Sequence, residues 1–182
     1  MKLMFISDIH GSLYATRAAI NIFKAESCDY LVILGDFLYH GPRNALPDEY
    51  QPAEVAILLN SMKEKIIAVR GNCDAEIDEM VLNFPLPSSS EILADGHRIF
   101  LTHGHWYNES HLPSLQKGDY LIHGHFHIPW WKNVDGINVL SPGSVAIPKG
   151  DSEPTYIIYD SGKFTFWTFD GDDITLKVKE VI

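Results

Sequence analysis

Cysteine is scarce in this chain of 182 residues: Cys28 and Cys73 are the only two, and they form no Cys-x-x-Cys pair. That rules out a disulfide scaffold and a thiolate-built zinc site, and it is compatible with a reducing compartment. Basic residues are outnumbered, 14 Lys and Arg against 24 Asp and Glu, for a formal net charge of -10 at pH 7. Nonspecific duplex binding is largely phosphate neutralisation, so stable binding to duplex nucleic acid is disfavoured. No apolar run approaches the roughly 18 residues that span a bilayer, and no membrane partner is expected. The apolar stretch LMFI near the start is shorter than a signal-peptide core, which makes the cytoplasm the expected compartment. Internal repeats and low-complexity tracts are also missing.

What is present has ordinary globular composition, 46% hydrophobic and 21% charged, and reads as one domain over residues 1–182. Short apolar runs bounded by Gly or polar residues recur as LMFIS, YLVIL, KIIAV, RIFLT and YLIH, each a buried strand by its length and content. Residues 12–26 read as a helix capped by Ser12, with Ala15, Ala19, Ile22 and Phe23 on one face. A second helix begins at Pro52 and aligns Val55, Leu58, Leu59 and Met62; a third is expected to start on Asp74 as cap and to bury Ile77, Met80 and Val81. Alternating strands and helices predict a parallel sheet in the first half. From about residue 91 the runs EILADG, HRIFLTH, YLIHGH, INVLS, TYIIYD, KFTFWTF and ITLKVKEV come close together, with hairpin chemistry at Asp95-Gly96 and Ser161-Gly162. The expected architecture is α/β, two packed sheets with helices outside.

Residues able to hold metal stand just past five of these strands: Asp8 and His10, Asp36, Asn72, His103, and His125 with His127. Ligands collect beyond the carboxyl ends of strands in open α/β sheets, which gives all seven a common address. In extended backbone, residues two apart point the same way, so Asp8 with His10, and His125 with His127, are expected to converge pairwise. Gly11, Gly35, Gly71, Gly104 and Gly124 stand beside them, where small residues permit tight turns. Alone, Asp8 with His10 reads more readily as a turn or cap and Asn72 as a turn, while Asp36 could be a loop residue and His125 with His127 a solvated pair; their coincidence at five strand ends favours a single site. Mixed carboxylate, amide and imidazole donors suit Mn²⁺, Fe²⁺, Zn²⁺, Co²⁺ or Ni²⁺. Seven donors for two divalent ions call for one bridging carboxylate, and Asp36 is the choice because it ends the most apolar strand.

The motifs DIHG, GDF, GNCD, THGH and GHFH, in that order over residues 8–127, resemble the signature of the calcineurin-like metallophosphoesterases. The resemblance implies the metallo-dependent phosphatase fold, a four-layer α/β/β/α sandwich of two mixed sheets flanked by helices. It places Asp8, His10, Asp36 and His127 on one metal, and Asp36, Asn72, His103 and His125 on the other. Short length, the GNCD variant and the SPGS turn at Ser141 to Ser144 are similar to the small bacterial and archaeal phosphodiesterase branch, which implies manganese-supported cleavage of phosphodiesters, mainly aryl ones. The wider family has an imidazole where Cys73 stands. A thiol is a weak donor with a reference pKa near 8.5, hence a poor general acid, so good leaving groups are favoured.

The expected function is therefore dinuclear-metal phosphodiester hydrolysis, in which a metal-bound hydroxide attacks a small phosphodiester substrate. Asp36, Asn72, Cys73 and His105 are the candidate catalytic residues, and Arg43 and Asn72 the candidate substrate contacts, the arginine offering a planar fork to phosphate. His40 reads as a loop imidazole near the site, and His97 and His111 as surface residues. Trp130 and Trp131 suit an aromatic wall, a homo-oligomer contact or edge packing. Two alternatives are a non-catalytic interaction scaffold on the same fold, as in the retromer subunit, and a nuclease or nucleotide phosphohydrolase. Seven intact donors oppose the first, and the acidic composition opposes the second.

Overall fold

Strand β1 (Lys2–Ile6) buries every side chain from Leu3 onward, alternately on its two faces. In the computed structural model, which describes residues 1–179, Leu3 and Phe5 point inward between two sheets. There they join Val32 and Leu34 of one sheet and Ile99, Leu101, Ile122 and Leu140 of the other in one apolar cluster. Met4 and Ile6 point the opposite way and pack with Ala15, Ala19 and Phe23 of α1 (Leu13–Ala25) and Val55 and Leu59 of α2 (Pro52–Asn60). A strand covered on both faces must be apolar throughout, which is why these runs lack polar alternation. Each fully buried Leu, Ile or Phe contributes roughly 1.5–3 kcal/mol.

The first sheet is parallel at its centre, where β1 pairs with β2 (Tyr30–Ile33) and β2 with β3 (Ile66–Ala68). The second contains β4 (Ser89–Ala94), β5 (His97–Thr102), β6 (Tyr120–Ile122), β7 (Pro129–Val134) and β8 (Ile137–Pro142), in the order β4-β5-β6-β8-β7. Strands β9 (Thr155–Asp160) and β10 (Lys163–Thr168) return to the first sheet, giving it the order β10-β9-β1-β2-β3 with one antiparallel edge. Both sheets are thus mixed, and helices flank them. Leu112 and Leu115, from the connection between β5 and β6, cover Leu121, Ile137 and Val139 on the outer face of the second sheet. No helix among the described residues is long and apolar enough to cross a membrane.

Ser12 caps α1 through its hydroxyl, which accepts the Ala15 N–H at 3.1 Å, and Pro52 opens α2, both as predicted. Asp95-Gly96 and Ser161-Gly162 close hairpins with both residues at positive φ, the conformation of a primed turn. Asp135-Gly136 closes a third hairpin in the same way, leading out of β7, a strand absent from the expected set. Trp130 and Trp131 lie on that edge strand and pack on opposite faces, Trp131 against Phe164 and Phe166 and Trp130 beside His123.

The predicted hairpins join β4 to β5 and β9 to β10, while β5, β6 and β8 run parallel, joined by the long loops that carry the histidine motifs, so the sheets are mixed as expected. Two expectations are corrected. The run ITLKVKEV is not a strand: Thr175–Val178 form a short helix, α4, and residues 180 and 181 lie outside the described residues. Ile174 and Val178, four apart, both pack on the core while Leu176 is 89% exposed, a helical spacing that alternation had disguised. Finally, α3 (Glu76–Val81) exposes Ile77, Met80 and Val81 and buries Asp78 instead, and its cap position is Ala75. Asp74 is otherwise engaged, as described next.

Candidate metal centre

Chain crossings place the carboxyl ends of β1, β2, β3, β5 and β6 side by side, and backbone hydrogen bonds lash the loops there together. His10 N–H donates to Asp36 O at 2.9 Å, Gly11 N–H to Phe37 O at 2.9 Å and Gly124 N–H to His103 O at 2.9 Å. Asp8 and His10 do converge, as expected, but the loops are not extended, so the reason given by strand alternation is corrected. Asp8, His10, Asp36, His125 and His127 all have φ between 47° and 72°. Left-handed backbone is uncommon outside glycine, and Asp, Asn and His tolerate it best. The aim of these side chains comes from that turn geometry rather than from strand pleating. The glycine expectation has a steric basis, tightest where a Cβ at Gly71 would overlap the Asp36 carboxylate and one at Gly124 would overlap the Ser7 hydroxyl.

The potential donor atoms of Asp8, His10 and His127 lie within 4.8 Å of one another, and so do those of Asp8, Asp36 and His103, and those of His10, Asp36 and Cys73. Asp36 Oδ2 stands 3.3 Å from His103 Nε2 and 3.7 Å from His10 Nε2. Asn72 Oδ1 is 3.0 Å from His103 Nε2. The His125 ring lies 5.1 Å from that of His103, and the His125 backbone N–H donates to Asp8 Oδ2 at 3.0 Å. All seven predicted positions therefore meet in one place.

Three imidazoles are fixed in orientation by backbone carbonyls that can only accept. His10 Nδ1 donates to Tyr39 O at 2.8 Å, His103 Nδ1 to Leu34 O at 2.7 Å and His127 Nδ1 to Ile147 O at 2.6 Å. In a neutral ring so anchored, Nε2 bears the lone pair. His10 Nε2 and His127 Nε2 face each other at 3.4 Å, with Asp8 Oδ1 3.3 Å from the latter. Two lone pairs and a carboxylate at that range require a cation or a proton among them. Asp8 Oδ1 is buried and has no hydrogen-bond partner among the described residues, an arrangement that is costly unless a positive charge satisfies it. The donor set thus fits divalent ions.

Burial works against ionisation of Asp8 and Asp36, yet the imidazoles around them hold both below the usual carboxylate range. Burial would also lower the His103 imidazole, but its hydrogen bond to Asp36 and the charges of Asp8 and Asp36 prevail and push it up to about 9. Burial, with the neighbouring His103 charge, brings His125 down to about 4 and lowers His105 as well. Cys73 is driven up to about 12 by burial and then by the Asp36 carboxylate, so the thiol keeps its proton.

Asp74 is the buried support of the cluster. Its Oδ2 accepts the N–H groups of Asp36 at 2.8 Å and Gly71 at 2.6 Å, and its Oδ1 that of Phe37 at 2.7 Å. Cys73 N–H in turn donates to Asp36 Oδ1 at 2.8 Å. Burial and the charge of Asp36 raise Asp74 to about 6 against the pull of its three donors.

The centre opens into a cavity of ≈ 800 Å³ lined by His10, Asp36, Asn72, Cys73, His125 and His127, with Arg43 and Lys149 at its edge. His105 is exposed and outside that lining, its ring 5.5 Å from that of His103. His40 packs edge-on between Tyr39 and Tyr50, and His97 and His111 are at the surface as expected. Sequence reasoning missed Lys149, which lies in a loop with no motif, and Ser144 in its supporting role. Ser144 Oγ donates to Asp8 O at 2.9 Å and accepts the Ile147 N–H at 2.8 Å, which sets the carbonyl that orients His127.

Two mixed sheets whose strand ends converge on carboxylates and imidazoles have the build of a metallophosphoesterase. The chain belongs to the calcineurin-like phosphoesterase superfamily, whose domain it matches over residues 1–163. Within it the chain falls in the small bacterial and archaeal branch. Phosphodiesterase YfcE of Escherichia coli (strain K12) is 49% identical over 162 residues, covering 88% of each protein. A phosphodiesterase of Methanocaldococcus jannaschii is 27% identical over 152 residues, covering 79% of this chain and 83% of that protein. The solved structure of YfcE superposes with a TM-score of 0.93 at 46% identity, covering 96% of this chain and 97% of that one. Vps29 from Entamoeba histolytica shares the fold alone, at 18% identity and a TM-score of 0.60 over 92% of this chain and 91% of that one.

Proposed function

We propose that this protein is a metal-dependent phosphoric diester hydrolase acting on a small phosphodiester at two divalent ions. Asp8, His10, Asp36 and His127 would hold one ion, and Asp36, Asn72, His103 and His125 the other. The observation that carries the reading is the position of Asp36, whose single carboxylate is shared by the donor groups on both sides. Manganese is the proposed ion, with Zn²⁺, Fe²⁺, Co²⁺ and Ni²⁺ compatible with the same donors. Ions so held supply an ionised water at neutral pH and offset charge on the phosphoryl oxygens.

The chain's own residues do the rest. The carbonyls of Tyr39, Leu34 and Ile147 keep three imidazoles aimed inward, so little reorganisation accompanies the reaction. Arg43 and Lys149, on the cavity wall, bring positive charge to an anionic substrate in an otherwise acidic protein, and Asn72 presents its amide from the same wall. Cys73 stays protonated and weakly acidic, so it neither attacks phosphorus nor protonates a poor leaving group. Aryl-type leaving groups, which need no acid, are favoured. Cys73→His is accordingly expected to raise the ratio of monoesterase to diesterase activity by roughly tenfold or more, since a positioned acid contributes about 10²–10⁴. An unchanged ratio on p-nitrophenyl phosphate and bis(p-nitrophenyl) phosphate would remove Cys73 from the specificity argument.

The reading is tested by stripping the purified protein with a chelator and restoring each divalent ion in turn, with turnover of a panel of mono- and diesters as readout. Activity should vanish and return, highest on aryl diesters. Because His103 titrates near 9 and must give up a proton to bind an ion, ion affinity should climb as pH rises toward 9 and weaken below it. Diester turnover that survives complete removal of metal would refute the proposal.

A further inference from the structure

A second cavity, of ≈ 670 Å³, lies between α2 and α3, beside the metal centre. Its walls are Leu38, Ala53, Ala56 and Ile57 on one side and, on the other, Ile77 and Val81, two of the α3 side chains that miss the core. The polar side chains of those helices that line the cleft, Asn60 and Asp78, are engaged within the fold. Asn60 donates to Val81 O at 2.8 Å and accepts the Asn83 N–H at 2.7 Å, and Asp78 accepts the Ala75 N–H at 2.8 Å. No Lys or Arg among the described residues lines the cleft. Tyr39, Cys73 and Ala75 line both this cavity and the polar one, so the two adjoin. Their volumes fall in the range of about 300–1,000 Å³ typical of small-molecule sites.

We propose that the cleft between α2 and α3 binds the apolar alcohol moiety of the substrate, so that the physiological phosphodiester carries an alkyl, acyl-chain or aryl group. This rests on the phosphodiesterase reading and adds the substrate class to it. A ligand placed with its phosphate among His10, Asn72, Arg43 and His127 reaches the cleft by passing Cys73 and Tyr39. Cys73 thereby has a second use: where an imidazole would set a polar group at the junction, a neutral thiol continues the apolar wall. A second copy of the chain is the competing occupant, but a concave pocket adjoining the phosphate site suits a tethered ligand better than a protein face.

The test uses the metal-loaded full chain and two probes, methyl phosphate and hexyl phosphate, with affinities measured by calorimetry. If half of each added methylene is buried, affinity rises about twofold per carbon, roughly 30-fold from methyl to hexyl. Ile57→Asp and Ile77→Asp place a charge on either wall; the native side chains are 63% and 59% exposed, so neither change reaches the core. Each is expected to bring the hexyl-to-methyl ratio below about fivefold. A wild-type ratio near one would overturn the proposal, as would a large ratio that both variants leave intact. If either variant reduces the mass of the particle in light scattering while the ratio stays at its wild-type value, a second copy fills the cleft and the proposal falls. Failure to hydrolyse any diester, with the chain-length ratio present and lost in the variants, would sink the phosphodiesterase reading and leave the apolar site standing.

Discussion

Asp36→Asn is expected to lower kcat/KM on bis(p-nitrophenyl) phosphate by roughly 10³-fold, about 4 kcal/mol of transition-state stabilisation. The substitution keeps the shape of the side chain and removes its charge. One carboxylate oxygen, 3.3 Å from His103 Nε2 and 3.7 Å from His10 Nε2, is the link between the two donor groups. An amide in its place offers one neutral oxygen and a nitrogen that repels a cation. Far-UV circular dichroism should be unaltered, because the backbone bonds Asp36 makes to His10 and Asp74 do not depend on its charge. Metal content after gel filtration should fall with the rate. An Asp36→Asn protein with normal turnover would show that the two donor groups do not act as one centre.

The second large effect is on stability. Asp74→Ala should destabilise the metal-free protein by about 3–5 kcal/mol, because three backbone N–H donors lose their acceptor in a buried place and each such loss costs roughly 1–3 kcal/mol. Asp74→Asn keeps one acceptor oxygen and should fall between the variant and wild type in urea titrations. Equal losses for the two substitutions would show that the donors are not the cause. The folded-state pKa of Asp74, about 6, is above the usual carboxylate value of about 3.9. The sign follows: its contribution is full below about pH 4 and declines as pH rises through 6, where the buried group must ionise. The penalty of Asp74→Ala should therefore be larger at pH 4.5 than at pH 8.

Much of this arrangement is legible in the sequence. Strands β1, β2 and β3 announce themselves because burial on both faces demands unbroken apolar runs, and the donors are visible because each follows such a run next to a glycine. Helix α1 is legible through Ser12, whose cap is a local interaction. Asp74 was misread for the complementary reason. An aspartate just before a helix usually caps it, but here the carboxylate reaches Asp36 and Phe37, 38 and 37 residues back in the chain, and no local rule carries that distance. Ile77, Met80 and Val81 have the periodicity of a core face, yet periodicity records only that one side of a helix is apolar. It does not say whether the space against it is filled. Strand β7 was missed because Pro129 and two tryptophans do not look like an alternating strand, although its Asp135-Gly136 turn carries the same chemistry as the two hairpins that were identified.

The left-handed backbone at Asp8, His10, Asp36, His125 and His127 has a bearing on how the protein can change over evolutionary time. Each position is selected twice, once for its donor atom and once for tolerance of a conformation that most side chains resist. Alanine scanning there would report both losses together, whereas exchanges among Asp, Asn and Gly separate them. A lineage that gave up hydrolysis would still find those few residue types the least strained occupants of the loops. The vestige of such a site would outlast its use, and counting surviving acidic and amide residues would overstate how recently a descendant was an enzyme.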